Sequence, residues 1–86
     1  MATYRITSSG TKTSAEAILA SGGLLWGVQV ASGGTATIHD NASAASGTIL
    51  AVGTPGDTIF FNQPIAANNG LYLSVTTGAI VYYSRD

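Results

Sequence analysis

His39 and Asp40 are the only adjacent pair of residues whose types resemble catalytic chemistry. A nucleophilic mechanism needs a serine or cysteine held beside the histidine at a fixed geometry. The chain has many serines, but no G-x-S-x-G motif presents one. Strand alternation also places His39 beside Thr37 on the face opposite Trp26, pointing to solvent or to a neighbour. We therefore predict no catalytic residue and no enzymatic activity. The alternative to a non-enzymatic protein is a small enzyme or metal protein that uses His39 and Asp40.

Residues that could hold a metal or a cofactor are few and dispersed. The chain has four carboxylates, far apart in the sequence and mostly in predicted turns: Glu16, Asp40, Asp57 and Asp86. A glycosidase needs two carboxyl groups facing each other across a cleft, for which so small a domain leaves little room. One histidine and no cysteine do not supply a structural zinc site. Neither glycine pair precedes a helix carrying Lys-Ser/Thr, as a phosphate-binding loop requires. We predict no metal and no cofactor.

The charge content excludes further classes of function. Charged residues make up 8% of the 86 residues, against about 25% in an ordinary soluble domain. The three basic residues, Arg5, Lys12 and Arg85, form no cluster that could neutralise phosphates, so no nucleic acid partner is expected. No apolar run approaches the roughly 20 residues of a membrane-spanning helix, and the N-terminus lacks the apolar core of a signal peptide. We expect neither a membrane partner nor classical secretion.

The size of the chain indicates one domain that needs help to be stable. A domain of this length buries only about 60% of the surface that its unfolded chain exposes. The sequence has no cysteine, so disulfides cannot compensate. An uncharged surface desolvates at low cost and repels neighbours weakly. The composition therefore favours a protein that packs against copies of itself or within a larger assembly.

The segment 23–40 has the strongest apolar alternation and the only tryptophan. Its centre, Gly33-Gly34, predicts a β-hairpin. An odd-length loop there places Val30 opposite Ala36. The same loop places Val28 opposite Ile38, so that apolar side chains share the buried face. The predicted core anchors are Trp26, Val28, Val30 and Ile38.

The rest of the chain alternates short strands with turns. Segment 16–20 is predicted as a short strand, with a helical turn as the alternative. The sequence TPGD at 54–57 predicts a type II turn, and Pro64 a break in strand pairing. The last two strands are predicted to form a hairpin around Thr77-Gly78. Seven to eight short antiparallel strands predict an all-β fold, a small single-domain β-sandwich of jelly-roll-like type. Residues 1–13 are predicted to form an extended N-terminal arm.

Tyrosines are the residues of the chain best suited to contact a partner. Exposed tyrosines add amphipathic area to interfaces and can stack on sugars, whereas on half-buried strands they are ordinary sheet residues. We predict a subunit interface that contains Tyr4, Ile6, Tyr72 and Tyr82.

The order of strands and turns after Ala20 supports a resemblance to a known class of protein. It is carried by residues 22–30 (GGLLWGVQV), 35–40, 46–49 (SGTI), 70–71 and 80–83 (IVYY). This pattern resembles small all-β virion proteins of tailed bacteriophages, which decorate capsids or form the tips and bases of fibres. Trp26 is a departure, because this position is often less bulky in such sequences.

The resemblance implies a non-enzymatic structural protein of the virion. It implies a capsid decoration or cement protein, or a head-fibre protein, that assembles as a homotrimer and stabilises the phage head. The implied partners are copies of the chain and the major capsid protein or another virion protein. The implied location is the virion, assembled in the host cytoplasm. The alternative is a carbohydrate- or receptor-binding module of a head or tail fibre, which predicts an exposed aromatic pair with adjacent polar groups.

Overall fold

The computed structural model describes residues 6–85, which form eight strands and contain no helix. The strands are β1 (Thr7–Ser8), β2 (Glu16–Leu19), β3 (Gly23–Val30), β4 (Thr35–His39), β5 (Ile49–Gly53), β6 (Thr58–Ala67), β7 (Leu71–Thr76) and β8 (Ala79–Ser84). The prediction of an all-β chain with seven to eight strands is confirmed. The ambiguous segment at 16–20 is a strand and not a helical turn.

The strands form two four-stranded antiparallel sheets, in the orders β1-β8-β3-β6 and β2-β7-β4-β5. The pairs β1–β8, β2–β7, β3–β6 and β4–β5 are those of one long antiparallel ribbon that turns back between β4 and β5. The pairs β3–β8 and β4–β7 then close this ribbon into two sheets. A rolled ribbon of eight strands is the jelly-roll arrangement, so the predicted small β-sandwich is confirmed.

The predicted hairpin between β3 and β4 is wrong, because these strands belong to different sheets. The chain crosses the sandwich between Val30 and Thr35, where Ala31 N donates to Gly78 O at 2.9 Å. The predicted hairpin around Thr77-Gly78 is wrong for the same reason, since β7 and β8 also lie in different sheets. Alternation identifies the buried face of a strand, but the apolar partner of that face can lie across the core as well as beside it.

The core lies between the two sheets and draws on both of them. Its buried hydrophobic residues are Leu19, Leu25, Val28, Val30, Ala36, Ile38, Ala67, Leu71, Leu73, Ala79 and Val81. Three predicted core anchors are among them: Val28 and Ile38 are fully buried and Val30 is 3% exposed. They meet across the core and not as hairpin neighbours.

Trp26, the fourth predicted core anchor, does not belong to the buried core, and that prediction is wrong. The register of β3 shifts between Leu25 and Gly27 against both neighbouring strands, which leaves Trp26 as the extra residue of a β-bulge. Leu25 and Val28 therefore both face inward, while Trp26 is half-buried. Its Nε1 donates to Ser84 Oγ at 2.9 Å.

Strand β6 is irregular opposite this bulge. Phe60 pairs with Gly27 and Ile65 pairs with Leu25, so ladder pairing with β3 is interrupted over residues 61–64. Because Pro64 has no N–H to donate, the predicted break in pairing is found where expected. The predicted turn at 54–57 is also present, with Asp57 N donating to Thr54 O at 3.0 Å and a φ of +77° at Gly56.

The described part of the predicted N-terminal arm lies against its own domain. Thr7 pairs with Tyr83, Ser8 pairs with Tyr82, and Lys12 forms a bridge with Ala79. These residues form one edge of the β1-β8-β3-β6 sheet. Residues 1–5 of the arm lie outside the described residues.

Candidate binding surfaces

His39 is buried, with 9% of its surface exposed, so of the two predicted directions, solvent or a neighbour, the first is wrong. It pairs with Tyr72 on β7 and with Ile49 on β5. It does lie on the face opposite Ile38, as alternation predicts, but its neighbours cover the ring. Within residues 6–85, its Nδ1 is buried without a hydrogen-bond partner.

The Asp40 carboxylate accepts hydrogen bonds from the backbone and does not orient His39. Its Oδ1 accepts hydrogen bonds from Asn69 N at 2.8 Å and from Gly70 N at 3.4 Å, which ties the β4–β5 connection to the β6–β7 turn. Over the part of the chain that the structure describes, no group of three or more His, Asp or Glu side chains could hold a metal ion.

The charged side chains of residues 6–85 lie at turns, edges and strand ends. They are Lys12, Glu16, Asp40, Asp57 and Arg85. Lys12 and Glu16 form an ion pair of 3.4 Å at the sheet edge. By alternation and pairing register, the outward-facing positions of both sheets carry no Lys, Arg, Asp or Glu. Since about 25–35% of an ordinary surface is charged, both broad faces are unusually free of charge.

The outer face of the β2-β7-β4-β5 sheet, called here the aliphatic face, exposes two large hydrophobic residues. Ile49 is 55% exposed and Val52 is 56% exposed. Three positions apart on a strand, they would ordinarily point to opposite faces. A register shift makes Leu50 an extra residue in β5 and turns both outward. Val52 pairs with Thr37 and Ile49 with His39, and further along the sheet Thr35 Oγ1 lies 3.0 Å from Thr76 Oγ1.

The outer face of the β1-β8-β3-β6 sheet, called here the aromatic face, carries a ring pair. Phe60 is 60% exposed, and its ring centroid lies 5.0 Å from that of Tyr82 with the planes tilted by 41°. The Tyr82 hydroxyl donates to Gln29 Oε1 at 3.2 Å. The ring pair thus has one exposed member, Phe60, and one half-buried member, Tyr82, with a polar side chain beside it.

Gly27 permits this arrangement of rings. It lies between Phe60 and Tyr82 in the sheet register. A Cβ at this position would approach Ile59 O to 2.5 Å and Phe60 Cδ1 to 2.7 Å. The glycine thus lets the phenyl ring lie against the strand. Sequence reasoning missed Phe60, although alternation in the pair Phe60-Phe61 requires one of the two rings to point outward.

The predicted interface residues do not form one surface. Tyr72 belongs to the aliphatic face and Tyr82 to the aromatic face, on opposite sides of the sandwich. Ile6 is 50% exposed and lies immediately before β1. Tyr4 lies outside the described residues.

Shallow open clefts border the sheets within residues 6–85, and two of them matter here. One, of about 130 Å³, lies at the edge near the Lys12–Glu16 ion pair and is lined by Ser8, Ser9 and Tyr83 among others. The other, of about 200 Å³, begins at Gln29 and Ile80 on the aromatic face and extends over Ala31 and Gly78. Of the two, only the second continues from the ring pair.

Residues 6–85 include no helix long and apolar enough to cross a membrane. No protein-family model, curated protein or solved structure matches this chain.

Proposed function

We propose that this protein is a non-enzymatic structural protein of a tailed-bacteriophage virion, a decoration or cement protein that oligomerises and stabilises the head. The observation that carries the proposal is the absence of charged side chains from both broad faces of the described domain. A face without charges desolvates without stripping water from ions, which favours burial of the aliphatic face against other subunits. The resemblance of the sequence to small phage virion proteins supports the assignment to a virion.

The aliphatic face is the better candidate for docking on the head. Ile49 and Val52 expose branched aliphatic side chains, whose burial against an apolar protein surface is favourable. The threonines of this face, Thr35, Thr37 and Thr76, carry short side chains that lose little conformational entropy when buried. The described domain measures 39 × 24 × 19 Å, so one broad side can supply the about 800 Å² per partner of a stable interface.

The small size of the domain supports the proposed oligomerisation. A small core without disulfides gains stability from any partner that binds only the folded chain. The expected partners are further copies of the chain, arranged as a homotrimer, together with the major capsid protein or another virion protein.

The test combines the mass of the purified protein in solution with co-sedimentation on heads of the encoding phage from which the protein has been removed. We expect an oligomer that binds these heads saturably. The variant Val52→Lys should bind at least about tenfold more weakly, because a charge is buried in the interface. The variant Ser32→Lys places the same charge on an exposed turn residue and should bind normally. A monodisperse monomer without affinity for the heads would contradict the proposal.

A further inference from the structure

The ring of Phe60 is presented as a platform and not as part of the core. Its 60% exposure is the largest among the exposed large hydrophobic residues of the described chain. Gly27 lets the ring lie against the sheet, and Tyr82 supports its edge at a centroid distance of 5.0 Å. The π face of such a ring is electronegative and attracts partially positive C–H groups. The C–H side of a pyranose ring provides a surface of this kind.

Polar groups lie one row further along the sheet. Gln29 is exposed and pairs with Thr58 on one side and with Ile80 on the other. Two residues along a strand span about 7 Å, close to the width of one sugar ring. The Tyr82 hydroxyl donates to Gln29 Oε1, which directs the amide nitrogen of Gln29 away from the tyrosine. That nitrogen has two N–H donors for sugar hydroxyls.

The cleft of about 200 Å³ continues from Gln29 and Ile80 past the end of the sheet. It is smaller than the about 300–1,000 Å³ of pockets that enclose a whole drug-sized ligand. It can therefore hold one ring of a chain whose neighbouring ring stacks on Phe60. The Phe60 ring, the Gln29 amide and the cleft follow one another across the face, and this arrangement fits an extended oligosaccharide better than a single sugar.

The character of the aromatic face favours a sugar over a protein partner. Within its strands only Phe60 is a strongly exposed large apolar residue, while Tyr82, Ile80 and Trp26 are half-buried and the exposed Ile6 lies at the β1 edge. A protein interface needs a broad apolar centre, whereas one ring bordered by amide and hydroxyl groups suits an amphipathic ligand. Because no charged side chain faces outward here, the ligand should itself be neutral.

We propose that the aromatic face binds a neutral oligosaccharide, with one pyranose ring stacked on Phe60 and the next ring held by Gln29 at the cleft. This function lies beyond head stabilisation and uses the opposite side of the sandwich. A decoration protein bound through its aliphatic face would leave this site open to solvent. The proposal does not depend on head binding, and either function can fail without the other.

The test is a titration of the full-length, ¹⁵N-labelled chain with maltotetraose, cellotetraose and chitotetraose, each to about 10 mM, a range that detects millimolar affinity. We expect at least one of them to shift the Gln29 side-chain amide and the backbone amides of Gly27 and Phe60. Phe60→Ala should weaken binding at least about tenfold, as for the loss of a central aromatic contact. Phe60→Tyr should retain it, and Val52→Ala on the opposite face should bind as the unchanged protein does.

A second variant tests the site in case Phe60→Ala does not fold. Gln29→Glu keeps the length of the side chain but removes its N–H donors, and it should weaken binding several-fold while the spectrum stays dispersed. The proposal is overturned if none of the three oligosaccharides perturbs the aromatic face. It is equally overturned if Phe60→Ala binds with unchanged affinity. Concentration-dependent shifts of these amides without sugar would assign the face to a second copy of the chain instead.

Discussion

At the scale of single residues, the position of the Phe60 ring depends on the absence of a side chain at Gly27. The glycine has no Cβ to hold the ring away from the strand, and the ring covers backbone that the glycine leaves bare. We expect Gly27→Ala to destabilise the fold by about 1–3 kcal/mol, because the new methyl group meets backbone that cannot move aside cheaply. Urea denaturation measures this loss.

The matched control for that prediction is Gly78→Ala. A Cβ at Gly78 would meet its nearest neighbours, Lys12 O and Thr11 Cγ2, at 3.6 Å, an ordinary contact. Its effect should stay within about 0.5 kcal/mol. Equal losses for the two alanine variants would show that the close approach at Gly27 is not what the fold requires.

His39 gives a second prediction at this scale. Its Nδ1 is buried without a partner in the described chain, so the imidazole contributes burial but no hydrogen bond there. Replacing an unsatisfied polar group by an apolar one of similar size costs little. We expect the free energy of unfolding of His39→Leu to lie within about 1 kcal/mol of that of the unchanged protein. The neighbouring substitution Ile38→Ala should lose about 2–5 kcal/mol, as a core cavity does. A loss at His39 as large as that at Ile38 would reveal an essential polar role.

Burial of single residues could be predicted from the sequence where strand alternation alone determines which side chains face the core. Val28, Val30 and Ile38 are buried as predicted. The prediction failed at Trp26, because alternation has no means of locating a β-bulge that moves one side chain off the buried face. The site residues Phe60 and Gln29 were missed since exposure depends on neighbours contributed by two other strands.

At the scale of elements, local pattern predicts where strands lie but not which strands pair. The predicted strands of segments 16–20 and 23–40 are present, because hydrophobic alternation and turn residues are local signals. Pairing in this fold joins β1 to β8 and β2 to β7, across most of the chain length. Such contacts follow from the packing of two sheets over a common core, which no local signal specifies.

The connections that hold the rolled ribbon together give a prediction at this scale. Asp40 bonds the backbone of Asn69 and Gly70 from a loop far away in sequence. We expect Asp40→Ala to destabilise the fold by about 1–3 kcal/mol, since the N–H groups lose a charged acceptor. Asp40→Asn keeps an acceptor oxygen and should lose less. Thermal unfolding followed by circular dichroism compares the two, and an equal loss would argue against the hydrogen bonds as the cause.

At the scale of the whole molecule, the charged side chains of residues 6–85 lie at turns, edges and strand ends, while both broad faces of this part are uncharged. Binding through a neutral face gains little from Coulomb attraction, so added salt has little to screen. We expect the affinity for phage heads to change less than about threefold between 50 mM and 500 mM NaCl, a range over which the screening length falls severalfold. Co-sedimentation at several salt concentrations checks this. A steep loss of binding with salt would point to residues at the charged edges, such as Lys12 or Arg85.

The most direct test of the proposed docking is hydrogen–deuterium exchange on the protein bound to phage heads, compared with the free protein. Docking through the aliphatic face covers β5, whose outer edge is unpaired within residues 6–85. We predict slower exchange of the amides of residues 49–53 on the heads, with exchange at Gly27, Gln29 and Phe60 unchanged. Protection confined to the aromatic face, or no protection anywhere on bound protein, would contradict it.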